Sequence, residues 1–193
     1  MCIAIALPAA AAAQGMLAPA PGKATYTAAD VSFIQGMIHH HAQAVLIAGW
    51  APSHGASAQV KNLCDRIVVA QTDEINTFQL WLKQRGQATV DLSAGHAMMP
   101  SMDPKAMMPG MLTDEQLAKL DAARGEQFDE LFLTYMIQHH EGAVKMVNDL
   151  FAVGSGEDET VYKFATDIYA DQTTEIARMQ RMLAAIEIGP PPA

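Results

Sequence analysis

The sequence predicts an all-α protein, a four-helix bundle made of two repeated helical hairpins joined by a Met/Pro-rich linker. Three observations lead there. Apolar residues recur at helical spacing over long stretches, no run alternates with a period of two over a useful length, and one block of helical sequence occurs twice. Composition agrees with this. Half of the 193 residues are hydrophobic but only 6% are aromatic, so the apolar content is mainly Ala, Leu, Ile, Val and Met, mostly good helix formers. A chain of this length can bury a sizeable core.

The elements follow in order. Residues 1–13 read as a signal peptide, an apolar Ala-rich run ending in small residues at Ala11-Ala12-Ala13. The run is too short to span a bilayer, and cleavage near Ala13 implies a periplasmic or secreted bacterial protein. Residues 14–26, with Pro19 and Pro21, form a flexible tether to the bundle at 27–189. Hairpin one covers 27–86: Thr27-x-x-Asp30 starts a helix, Gly49, Pro52 and Gly55 end it, and a second runs from about Ser57 to Arg85 with Gly86 as its stop. The linker, 87–112, carries Pro100, Pro104 and Pro109 and little periodicity. Thr113-x-x-Gln116 opens a short helix over 113–124. Hairpin two covers 126–189, with a helix over about Gln127 to Val153, a turn at Gly154-Ser155-Gly156, and a last helix led by acids and closed by Gly189-Pro190.

The repeat organises the chemistry. Phe33-x-x-x-Met37-Ile38-His39-His40-His41-x-x-Ala44-Val45 returns 99 residues later as Phe132-x-x-x-Met136-Ile137-Gln138-His139-His140-x-x-Ala143-Val144. In the partner helices Gln71-Thr72-Asp73-Glu74-Ile75 is echoed by Gln172-Thr173-Thr174-Glu175-Ile176. Neither hairpin can bury its apolar stripe alone, so the two pack face to face. His40 and His41 share a helix face with Met37, as His139 and His140 do with Met136. Imidazole is the commonest side-chain metal ligand, and thioether is a soft donor that favours Cu(I) over Cu(II). Glu74 and Glu175 are placed either to accept a hydrogen bond from a ligating His or to bind metal directly. His39 corresponds to Gln138 in the other repeat and ranks lower.

Five of the 7 His lie in these motifs, and six of the 13 Met lie in the linker: Met98, Met99, Met102, Met107, Met108 and Met111, with His96 just upstream. Such a segment either wraps a soft monovalent ion or straps over the bundle. The net charge of −9 without a basic stripe argues against nucleic-acid or anionic-membrane partners. Two Cys are too few for a disulfide scaffold or a four-thiolate zinc site, and Cys64 reads as a small buried hydrophobe. No Glu-x-x-His occurs, which disfavours a di-iron carboxylate site, and neither a Gly-x-Ser-x-Gly elbow nor a phosphate loop is present.

The doubled Phe-x-x-x-Met-Ile-x-His-His-x-x-Ala pattern, the Gln-x-x-Glu-Ile echo and Met108-Pro109-Gly110-Met111 resemble the domain-of-unknown-function 305 family over about Asp30 to Leu183. The resemblance implies a ferritin-like four-helix bundle, exported by bacteria, with some members implicated in copper binding and resistance. It carries the motif over to Met37, His40, His41, Met136, His139 and His140. The chain departs from the pattern at His39, which makes a triple histidine. It also has Leu46-Ile47 where the second repeat has Lys145-Met146, so the first site is the poorer in thioether.

The expected function is copper binding for sequestration, transfer or resistance. The partners are the metal ion and other copper-handling envelope proteins, with no organic cofactor and no catalytic residue. The alternatives are a metal-dependent oxidase, or an envelope interaction module whose histidines are only core hydrogen-bonders. Imidazole must be neutral to ligate, so copper binding is expected to weaken below about pH 6.

Overall fold

A computed structural model of the chain describes residues 26–93 and 108–189. The expectations for the signal peptide, and for His96, Met98, Met99, Met102 and Met107, lie outside the described residues. Within them there are five helices and no strand: α1 (Ala28–Ala48), α2 (Ala58–Gln84), α3 (Asp114–Ala122), α4 (Glu126–Ala152) and α5 (Glu159–Ile188). Local chemistry sets their starts. Thr27 and Asp30 form a capping box at α1, and Thr113 and Gln116 form another at α3. The side chains of Ser57 and Asp158 cap α2 and α5. α4 starts at Gly125 without a side-chain cap, and the Gly125 N–H instead donates to the carbonyl of His54 (2.8 Å). The His54 ring, buried between Trp50 and Phe128, braces this end of the bundle by hydrogen bonding to Trp50 and Asp121.

α1 packs on α2 and α4 on α5, and the two hairpins meet through α1 and α4. Neighbouring helices run antiparallel. Thr27, before α1, meets Ser155 after α4 (3.1 Å), and Arg85, after α2, lies 3.8 Å from Asp158 before α5. Two buried carboxylates fasten the hairpins to each other. Gly156 N–H donates to Asp30 Oδ1 (2.7 Å), and Ser57 N–H donates to Asp129 at 3.2 Å from either oxygen. These contacts are equivalents, since both Asp129 and Gly156 lie 99 residues beyond their counterparts, Asp30 and Ser57. Each satisfies an amide at the turn of the opposite hairpin that would otherwise be buried unpaired.

The core has two parts. One gathers Ala44, Ile47, Leu63, Ile67, Phe128, Phe132 and Met136; the other gathers Ile34, Met37, Ile38, Phe78, Leu82 and Val147. Along α1 and α4 the histidines at 40, 41, 139 and 140 fall between them, so a polar layer separates two apolar ones. Each fully buried Leu, Ile or Phe contributes about 1.5–3 kcal/mol. Many such residues on both sides offset the cost of a histidine layer. Cys64 belongs to the first part, where burial pushes its thiol above the ordinary range.

The end of the linker, 108–112, is a strap across α1 and α4. Leu112 and Gln43 bond reciprocally: Leu112 N–H donates to Gln43 Oε1 (2.8 Å), and Gln43 Nε2 donates to the Leu112 carbonyl (3.1 Å). Gln138 Nε2 donates to the Gly110 carbonyl (3.3 Å). Gly110 has φ +77°, and a Cβ on it would stand 2.6 Å from the Gln138 carbonyl oxygen. A Cβ on Gly142 would stand 2.0 Å from the Pro109 carbonyl oxygen. The strap therefore crosses α4 backbone on backbone, which only glycine permits.

Candidate metal centre

His40, His41, His139 and His140 are all fully buried. α1 and α4 carry them to the middle of the bundle, where the His40 and His139 rings lie 3.8 Å apart between centroids. Each outer histidine meets a carboxylate from its own hairpin. His140 Nε2 lies 2.7 Å from Glu175 Oε2, and His41 Nε2 lies 2.9 Å from Glu74 Oε2, the latter off the direction of a hydrogen bond. His40 Nε2 lies 3.0 Å from the Pro109 carbonyl of the strap. Neither nitrogen of His139 meets a partner with hydrogen-bond geometry.

These partners assign protons. A carbonyl or carboxylate beside Nε2 calls for an N–H there, so Nδ1 of His40 and of His140 is left as a bare lone pair. Both are buried without a partner, as are Nδ1 of His41 and both nitrogens of His139. Buried polar atoms are nearly always hydrogen-bonded, so this many exceptions in one layer set it apart from the apolar parts on either side. Met37 and Met136 are also fully buried, each in one of the flanking apolar parts. Met108 and Met146 approach each other over Gly36: a Cβ there would lie 3.5 Å from the Met108 sulfur and 3.3 Å from Met146 Cε. Met111, in the strap, is buried.

Not every expected residue joins the layer. His39 is half-buried, unlike its two neighbours. Among the described residues no three His, Cys, Asp or Glu side chains converge as a ready chelating set. The donors are gathered in one layer, and closing them around an ion requires rotamer changes. The residues that shape the strap side, Gln43, Gln138, Gly110 and Gly142, were not among those singled out from the sequence. Their signal lay in the repeat's mismatches: Gln43 aligns with Gly142 and His39 with Gln138.

Burial controls the titration of three of these histidines. His40 is lowered to about 3, first by desolvation and then by His41, with the Pro109 carbonyl opposing. His139 is held well below its ordinary value by desolvation and then by its histidine neighbours. His140 is also lowered by burial, with Glu175 opposing. Without metal, His40 therefore keeps its neutral ring well below the pH at which an ordinary imidazole takes up a proton.

The same displacement makes the metal-free protein acid-sensitive. Below the unfolded value of about 6.5, the unfolded chain takes up a proton that folded His40 refuses. Stability is complete above that value and falls as the pH drops towards 3, by about 1.4 kcal/mol per pH unit for each such histidine. Urea unfolding of metal-free protein between pH 7 and 4 is expected to show a falling midpoint, with a shallower slope in His40→Leu. A midpoint that stays constant over this window contradicts a buried, neutral His40.

Comparisons with known proteins follow this geometry. No curated protein matches the chain. Among solved structures, a DUF305 fragment from Deinococcus radiodurans is 29% identical, with TM-score 0.69, covering 82% of this chain and 97% of that one. A DUF305 secreted protein from Streptomyces coelicolor is 26% identical, with TM-score 0.70, covering 82% and 94%. CopM in its Cu(II)-bound form is 30% identical, with TM-score 0.65, covering 80% and 95%. CopM has also been solved with Cu(I) and with silver, and these forms match as well. The all-α fold is thus shared with proteins of which one binds copper and silver ions. Among the described residues, no helix is long and apolar enough to cross a membrane. The profile of the domain of unknown function DUF305 matches residues 30–183, so the chain belongs to the DUF305 family.

Proposed function

We propose that this protein is a copper-binding protein of the bacterial envelope that holds the ion for sequestration or transfer, with no catalysis. One observation carries the reading: a layer of four fully buried histidines in which six ring nitrogens have no hydrogen-bond partner. An apolar core has no other use for so many bare lone pairs. The CopM likeness supports copper as the ion. In this reading His40, His41, His139 and His140 supply the nitrogen donors, and Met37 and Met136 supply thioethers that favour Cu(I) over Cu(II). Glu175 orients His140 and fixes its tautomer, and Glu74 stands beside His41 Nε2. Met108, Met111 and the linker residues His96, Met98, Met99, Met102 and Met107 form a capture arm that brings soft donors to the layer.

The experiment is a Cu(I) titration of the mature protein against a competing chelator. Tight binding is expected in the parent and none in a variant with alanine at His40, His41, His139 and His140. Glu175→Gln keeps the site but loosens its orientation, and is expected to bind about 10–100-fold more weakly. Equal affinity in the parent and the four-alanine variant overturns the reading. It would leave the histidines as core residues of an interaction module.

A further inference from the structure

His54 is a buried titratable side chain that lies outside the histidine layer. It sits in the turn between α1 and α2, with its side chain only 6% accessible. Its carbonyl accepts the Gly125 N–H, and its ring packs between the Trp50 indole, stacked at 13°, and Phe128. The repeat does not demand it, since hairpin two has the exposed Val153 at the equivalent position.

Both ring nitrogens face oxygens that can only accept. Nδ1 lies 2.9 Å from the Trp50 carbonyl, and Nε2 lies 3.0 Å from the Asp121 carbonyl and 3.2 Å from Asp121 Oδ1. A neutral imidazole carries one N–H, so it donates at one of these places and sets a lone pair against oxygen at the other. Ser53 Oγ, 2.9 Å from Nδ1, does not remove the conflict. Its own proton goes to the Trp50 carbonyl (3.0 Å), and turning it to Nδ1 still leaves that carbonyl facing a lone pair. The imidazolium satisfies every contact, and the indole face beside it favours a cation. Of the charged groups around the ring, Asp121 on α3 favours the cation. Arg124, which donates to the same Asp121 carbonyl, opposes it from an exposed position. The turn presents Trp50 and Ser53 and α4 presents Phe128, while Asp129 of α4 is engaged by the Ser57 N–H.

The bond at Nε2 matters because α3 has few others. Leu120 is the one buried residue within this helix, and Gln116 Nε2 donates to Gln138 Oε1 on α4 (3.0 Å). α3 follows directly on the strap, so what fixes its far end also holds residues 108–112 over His40.

We propose that His54 is a proton-dependent latch: as the imidazolium it ties α3 to the α1–α2 turn and keeps the strap closed over the histidine layer, and loss of one proton as the pH rises frees α3 and then the strap. Its contribution is present in acid and lost towards alkali, the opposite sense to that of His40. The latch stands on its own geometry, and its control of copper entry rests on the reading above.

The experiment is NMR of the metal-free protein at about pH 6 and about pH 9. At the lower pH His54 is expected to show the ring-nitrogen shifts of an imidazolium. At the higher pH the amides of Leu112 and of Ala118 to Ala122 are expected to lose about tenfold or more of their exchange protection, referred to unstructured chain at the same pH. The amides of α2 stay protected. In His54→Gln, a neutral donor, the pH response is expected to vanish. Asp121→Asn, which changes a 65% exposed side chain, removes the favouring charge and is expected to move the loosening to lower pH. A neutral His54 ring at the lower pH, protection that is the same at both, or a pH response that survives in His54→Gln overturns the latch. Cu(I) uptake at the lower pH supplies the link. His54→Gln is expected to load about tenfold faster than the parent, and equal rates overturn the control of entry. A parent that shows the latch but takes up no copper sinks the copper reading alone. One that binds copper tightly with a neutral His54 sinks the latch alone.

Discussion

Replacing Gly142 with alanine is expected to lift the strap off the bundle. Gly→Ala inside a helix normally stabilises by about 1 kcal/mol, because alanine has the better propensity. Here the sign reverses. The new Cβ would stand 2.0 Å from the Pro109 carbonyl oxygen and 2.4 Å from its carbon, and both are backbone atoms that cannot swing aside. Strap and helix cannot both keep their places. With the strap displaced, Leu112 and Gln43 lose their reciprocal bonds, and Met111 and Leu112 lose their burial. The expected cost is about 3 kcal/mol or more, measured by urea unfolding. Exchange of the Leu112 amide separates lifting from global unfolding: it accelerates while the amides of α2 stay protected. Gly36→Ala is the control, since its Cβ meets only flexible side-chain ends, Met146 Cε at 3.3 Å and the Met108 sulfur at 3.5 Å, and no backbone atom. That change is expected to be neutral or mildly stabilising, and a similar loss at both positions would discredit the backbone-contact argument.

His139→Leu is expected to move stability and copper affinity in opposite directions. His139 buries two ring nitrogens without a hydrogen bond, and burial holds it neutral. An unsatisfied buried polar group costs about 1–3 kcal/mol, so an apolar side chain of similar size should stabilise the metal-free protein by about that much. Under the copper reading the same change removes a donor from the centre of the layer, beside His40, and tight binding is lost. His140→Leu provides the contrast. It strands the Glu175 carboxylate that now faces Nε2, so metal-free stability is expected to fall. Denaturation and chelator competition on both variants decide the matter. A metal-free His139→Leu protein less stable than the parent would mean that its nitrogens are satisfied.

Much of this architecture was legible because local chemistry and the repeat state it twice. Thr27 with Asp30, and Thr113 with Gln116, read as helix starts and form capping boxes. The Met-x-x-His-His pairs read as one face, and the structure gathers their histidines into a single layer. A strap was legible as one reading of the linker, but where it crosses was not. Its contacts join residues 108–112 to two helices about thirty and seventy residues away, and no periodicity encodes such a crossing. Its clues are departures from the repeat, Gln43 against Gly142 and His39 against Gln138, where one side holds a passing chain and the other makes room for it. The depressed pKa of His40 was hidden for a related reason. Helical spacing shows which residues share a face but not how completely neighbouring elements exclude water.

The paired contacts of Asp30 with Gly156 and of Asp129 with Ser57 reach beyond stability. Every hairpin contains both halves of the joint, a carboxylate near the start of its first helix and a receptive amide at its turn. Two copies of the first hairpin alone would offer each other the same complementary pairs about a two-fold axis, as isologous dimers do. The single chain thus has the geometry of a symmetric pair of subunits. The strap at 108–112 has no counterpart in that symmetry, so Gln43 on α1 and Gly142 on α4, equivalent by the repeat, meet it in different ways.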